Sequence, residues 1–148
     1  MKSENSRLAV YPLLIIPFGG LISLGIIYML YFGVYMLIET TMYPNNSLDV
    51  PAGLIRNTFA LVIFLIYLLF LRTRWSEPLK AAIGVGPVAL VLIAVGLALY
   101  LKPILSMVAV LIIAASYATF LYRNKRPWFY YYAVALSVLA AIFYAWPR

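Results

Sequence analysis

The sequence predicts an all-α integral membrane protein: a bundle of five transmembrane helices with the N-terminus cytoplasmic and the C-terminus external. Three observations carry that prediction. Between Leu8 and Arg148 the chain holds five apolar stretches, each long enough to cross a bilayer and almost free of ionisable residues. Of its 148 residues, 66% are hydrophobic and 10% charged, with mean hydropathy +1.01, far from the composition of a soluble domain. The basic residues also gather in alternate connections between the stretches. A spanning helix needs about 20 mainly apolar residues, because lipid offers backbone N–H and C=O groups no partner. Residues 1–148 therefore read as one polytopic membrane domain, with connections too short to hold a soluble one.

The first span is expected over 18–38, starting at Phe18. Pro12 and Pro17 favour a break before it, because proline removes a backbone donor and clashes with the preceding turn, which would leave 8–17 at the interface or entering obliquely. The charge-free run from Leu8 to Ile38 is too long for a signal-peptide core and has no Ala-x-Ala after it, so it reads as a retained span. The second span covers 51–71, with Asp49 placed to cap it and Pro51 in its first turn. The third covers 81–101, between Lys80 and Lys102, and the fourth 103–122. As one helix, Ala81 to Tyr122 would form a rod of roughly 63 Å, about twice the hydrocarbon thickness. Lys102-Pro103 is the polar, helix-breaking place to turn back. The fifth span covers 127–146.

Orientation follows from the cations. Lys2 and Arg7 precede the first span, Arg72, Arg74 and Lys80 lie between the second and third, and Arg123, Lys125 and Arg126 lie between the fourth and fifth. Only Arg56, Lys102 and Arg148 fall on the other side, and short basic loops stay cytoplasmic. Aromatic residues agree: Trp75 and Trp128 flank the basic loops, and Trp146 lies roughly 27 Å of helix beyond Trp128. The segment Trp128-Phe129-Tyr130-Tyr131-Tyr132 is then an anchor at the inner interface. Phe70-Leu71-Arg72-Thr73-Arg74-Trp75 and Phe120-Leu121-Tyr122-Arg123, continuing to Pro127-Trp128, resemble each other. They mark either a duplicated helical hairpin or the common demands of the cytoplasmic face.

The charge inventory excludes several function classes. The chain has no histidine and no cysteine, which removes disulfides, thiolate chemistry, haem ligation by histidine and the usual imidazole ligands for zinc or copper. Its four acids, Glu4, Glu39, Asp49 and Glu77, all lie outside the expected spans or at their ends, whereas proton relays and ion-coupled pumps place such groups inside. No cofactor and no metal site are expected. The net charge of +7 sits at helix ends, so a nucleic-acid partner is not expected either.

Three groups of residues remain as candidates. Arg56, inside the second span, either snorkels to the headgroups or pairs with Glu39 or Asp49 and forms, with Asn57 and Thr58, a vestibule for an anionic headgroup or solute. Tyr28, Tyr31, Phe32 and Tyr35 follow i, i+3, i+4, i+7 spacing, as a packing face or a groove for a lipophilic ligand. Ala133, Ser137, Ala141 and Ala145 recur every fourth residue, the spacing that lets another helix backbone approach closely. Ala82/Gly86, Ala94/Ala98 and Ala114/Ala118 repeat the pattern in shorter form. That face serves either the bundle itself or a partner. Gly84-Val85-Gly86-Pro87 is expected to kink or hinge the third span.

In outline, four or five helices with little loop, the layout resembles small membrane subunits of bacterial multicomponent solute transporters. The expected function is a non-enzymatic accessory or scaffold subunit of a larger membrane complex, in a prokaryotic inner or cell membrane. The alternatives are a homo-oligomeric pore or small carrier for an uncharged or lipophilic solute, and a lipid-modifying enzyme. Membrane lipids, a membrane-protein partner or a second copy are the expected partners.

Overall fold

Helix boundaries coincide with residues that cannot continue a helix. The computed structural model describes residues 2–44 and 50–145, with side chains for 11–44 and 50–144. It contains α1 (Lys2–Met42), α2 (Ala52–Phe70), α3 (Glu77–Ala98), α4 (Pro103–Arg123) and α5 (Phe129–Ala145), and no strand among the described residues. Pro44 follows α1, Pro51 precedes α2, Pro78 lies in the first turn of α3, Pro103 opens α4 and Pro127 precedes α5. At the helix starts the missing proline N–H is one the helix would leave unused, and after α1 Pro44 has no N–H with which to continue the helix. The turn between α3 and α4 falls at Leu99–Lys102, closed by Lys102 N–H donating to Leu99 O at 2.8 Å. Asp49, expected to cap α2, lies outside the described residues.

Two expectations are corrected. The first helix does not break at Pro12 or Pro17: α1 runs through both, from Lys2 to Met42. Pro12, Ile16 and Gly20 are buried, so packing holds the segment straight enough to stay helical. Breaking it would orphan more backbone groups than each proline does. The fifth helix is shorter than expected, with 17 residues, about 25 Å long. Four helices are long and apolar enough to cross a membrane: Tyr11–Met42 within α1, and α2, α3 and α4. Trp146, the expected outer anchor of α5, lies outside the described residues.

α3 is the axis of the bundle and touches all four other helices. In its apolar stretch 61% of residues are buried, against 22% in α1, 17% in α2 and 22% in α4. Its sequence explains this: Ala81, Ala82, Gly84, Gly86, Ala89, Ala94 and Gly96 are all buried, and residues this small let four helices approach one. On α1, Gly19 and Gly20 face Ala82 and Val85 so closely that added Cβ atoms would lie 2.9 Å and 3.0 Å from them. α2 and α4 bury matching positions fifty residues apart, Ala60 with Val110, Tyr67 with Tyr117 and Leu71 with Leu121, which extends the resemblance between the two segments from the loops into the core.

Candidate functional site

The polar groups the fold brings together lie at two levels: a charged clip where α2 ends and α3 begins, and a ring of hydroxyls deeper along α3. The clip starts from Glu77, which opens α3 behind Ser76 and before Pro78. A carboxylate there faces the positive end of the helix dipole. One turn on, Lys80 is buried, its side chain 4% exposed, with Nζ 2.7 Å from Glu77 Oε1. A buried ammonium needs such a partner.

The other carboxylate oxygen is reached from across the bundle. Arg126 Nη1 lies 2.7 Å from Glu77 Oε2, Tyr130 donates its hydroxyl to the same oxygen at 2.7 Å, and Arg126 Nη2 donates to Leu71 O at 3.0 Å. The last contact covers a carbonyl at the C-terminal end of α2, where a cation also suits the dipole. The guanidinium lies 5.6 Å from the centre of the Tyr130 ring, within cation–π range. One arginine thus ties together the end of α2, the start of α3 and the start of α5.

Arg126 is aimed by the way α4 ends. Arg126 N–H donates to Leu121 O at 3.1 Å and Lys125 N–H to Tyr122 O at 3.0 Å, the two bonds of a Schellman motif. That motif requires a left-handed residue, and Lys125 supplies it with φ 49°. Glycine usually holds this position, because a side chain there costs roughly 1–2 kcal/mol. The strain returns the chain toward the bundle and places Arg126 over Glu77.

Deeper, hydroxyls occupy backbone carbonyls of α3. Pro87 has no N–H for Ile83 O, four residues earlier, and Ser23 of α1 donates to that oxygen at 2.8 Å. Ser137 of α5 donates to Val85 O at 3.1 Å and to Ala133 O at 2.9 Å. Gly84 leaves its Cβ position to the Tyr67 ring and hydroxyl, and Tyr117 donates to Tyr67 at 3.3 Å. The space among Tyr67, Gly84, Tyr117, Tyr130 and Ser137 is too tight for a water molecule. The glycine-rich segment Gly84-Val85-Gly86-Pro87 lies within α3 and is clasped by α1 and α5.

The expected site residues fall as follows. Ala133, Ser137 and Ala141 are buried, with relative exposures of 5%, 0% and 1%, and Ser137 bonds across to α3. The side chain of Ala145 lies outside the described residues. Arg56 is half-buried. It forms no ion pair with Glu39 among the described residues, and its buried Nε has no hydrogen-bond partner there. Arg56 lies within electrostatic reach of Tyr31 on α1. Asn57 and Thr58 are exposed, and Asp49, the other carboxylate expected to pair with Arg56, lies outside the described residues. Of the α1 aromatics, Tyr31 packs on Phe59 of α2 at 5.6 Å and lies 6.3 Å from Tyr35, whereas Tyr28 and Phe32 are exposed. Among the described residues no three acids come together as a metal site.

Sequence reasoning passed over Glu77, Lys80, Arg126 and Tyr130 as a site and treated the cations as loop charges. The local signal was present in Glu77 and Lys80, three residues apart at a helix start. Arg126 and Tyr130 lie 49 and 53 residues from Glu77 and carry no mark of that contact. Compared with family models, curated proteins and solved structures, the chain finds no match in any of the three.

Proposed function

We propose that this chain is a five-span accessory or scaffold subunit of a larger, transport-type membrane complex. Its N-terminus would be cytoplasmic and its C-terminus external, in a prokaryotic inner or cell membrane. The observation that carries the reading is the contrast within α1. Its first half is built into the bundle, with Ile16 fully buried and Ser23 bonded to α3. Its second half turns Tyr28, Met29, Leu30, Phe32 and Leu37 outward, each more than half exposed. Lipid accepts the aliphatic part of such a face. Tyr28, however, bears a hydroxyl on that face with no hydrogen-bond partner among the described residues, and at membrane depth such a group is best satisfied by a neighbouring helix.

A photo-crosslinking residue placed at Met29 or Leu37, with Leu111 on α4 for comparison, tests this in native membranes. The subunit reading expects a discrete adduct with a different protein from Met29 and Leu37. An adduct at twice the chain's mass would instead make the face a homo-oligomer contact, the arrangement a pore or carrier built from several copies requires. Lipid adducts alone at all three positions would remove both readings.

A further inference from the structure

We infer that the two basic loops together form a binding site for the headgroup of an anionic phospholipid, distinct from the one considered at Arg56. The end of the bundle where α3 begins carries Arg72, Arg74, Lys80, Arg123, Lys125 and Arg126 and, among the described residues, one carboxylate, Glu77. Both oxygens of that carboxylate are already taken, by Lys80 on one side and by Arg126 and Tyr130 on the other. Arg72, Arg74, Arg123 and Lys125 are exposed and form no ion pair among the described residues.

These four are not scattered charges on independent loops. The bond from Arg126 to Leu71 O pins the chain just before Arg72 to the chain just after Lys125, so the two loops are held side by side. Exposed Trp75, Tyr122 and Trp128 accompany them, as interfacial aromatics do at headgroup level. Two carbonyls at this end that would repel an anion are covered, Leu71 O by Arg126 and Phe120 O by the Asn124 amide at 2.8 Å. Below the patch, Leu69 and Ile66 of α2 and Phe120 of α4 are exposed and offer acyl chains an apolar wall. Cations on loops held side by side, without ion pairs among the described residues and next to exposed apolar side chains, suit a phosphodiester that carries its own hydrocarbon, and juxtamembrane basic clusters bind such lipids.

The test uses the purified full chain in a neutral detergent, with phosphatidylglycerol, phosphatidylcholine or inorganic phosphate added and both thermal melting and lipid retention in native mass spectrometry recorded. Phosphatidylglycerol should raise the melting temperature and remain bound, while phosphatidylcholine and inorganic phosphate should not. Arg72→Gln/Arg74→Gln and Arg123→Gln/Lys125→Gln should each melt normally without lipid and lose about tenfold in apparent affinity. The charge-matched control Arg56→Gln/Lys102→Gln, at the other end, should retain it. Equal stabilisation by phosphatidylcholine, equal stabilisation by inorganic phosphate, or an equal loss in the control would each overturn the assignment. None of these outcomes depends on whether the chain has a protein partner.

Discussion

The two ends of the bundle solve the problem of polar groups in opposite ways. At the end where α3 begins, one carboxylate, two cations, a phenol and a backbone carbonyl satisfy one another within about 3 Å, and three helices are locked together. At the other end Arg56 leaves its Nε without a partner among the described residues, and the second half of α1 is largely exposed. Between them α3 is held by hydroxyls on its own carbonyls. Among the described residues, the polar ties between helices therefore concentrate at one end, and the other end leaves its polar groups less satisfied.

The largest effect should come from Glu77→Ala. It leaves Lys80 buried without its counter-charge and removes the group that holds Arg126 and Tyr130. Losing one member of a buried ion pair costs about 3–5 kcal/mol, but partial exposure of Glu77 lowers the expectation to about 2–3 kcal/mol. Glu77→Gln, which keeps an acceptor, should cost less. Equilibrium unfolding in mixed micelles reads both, and a Glu77→Ala midpoint equal to wild type would mean that the clip does not stabilise the bundle.

What the sequence makes legible here is local, and what it hides is tertiary. Lys102-Pro103 can be read as a turn because a polar residue and a missing donor act on the chain where they stand. The every-fourth-residue pattern of Ala133, Ser137 and Ala141 says that a backbone will come close, but not whose. The structure answers with α3. Pro12 and Pro17 mislead, since their local effect is outweighed by packing of α1 on α3 that no local rule reports. For Arg56 the two expected partners part company: Glu39, near enough in sequence to be proposed, forms no ion pair with it, while Asp49 lies outside the described residues. The clip is hardest to foresee, because Arg126 looks like any cytoplasmic cation until the Schellman turn has swung it back.

Glycines sharpen the same contrast with effects of opposite sign. Gly84 has no room for a methyl group, because the Tyr67 side chain occupies its Cβ position, whereas Gly33, in the outward half of α1, has nothing within 4 Å. Gly84→Ala should destabilise by about 1–3 kcal/mol through overpacking. Gly33→Ala should stabilise by up to about 1 kcal/mol, since alanine loses less backbone entropy in a helix. Thermal melting of the two variants side by side checks this. A loss in Gly33→Ala as large as in Gly84→Ala would show that the second half of α1 is packed against something after all.

A smaller gain is expected at the turn that aims the clip. Lys125→Gly keeps the left-handed residue of the Schellman motif and removes its side-chain strain, so the folded chain should gain about 1 kcal/mol in detergent without added lipid. Lys125→Val, whose branched side chain tolerates that conformation less well, should lose stability and weaken the reach of Arg126 to Glu77. If glycine and valine melt alike, the left-handed turn is not what positions Arg126.

The smallest effect should be at Arg56, and it decides whether that end is merely unpaired or built to bind. A guanidinium whose Nε is buried without a partner among the described residues already carries part of its desolvation penalty, so replacing it by a hydrocarbon removes a cost along with a charge. Arg56→Leu should therefore lie within about 0.5 kcal/mol of wild type in detergent, in contrast to Glu77→Ala at the other end. Arg56→Lys should be no better than leucine, because an ammonium has no carboxylate to meet among the described residues either. A clear loss in Arg56→Leu that lysine rescues would show a charge partner at this end, and Asp49, in the segment before α2, is then the first residue to substitute in a double-mutant cycle.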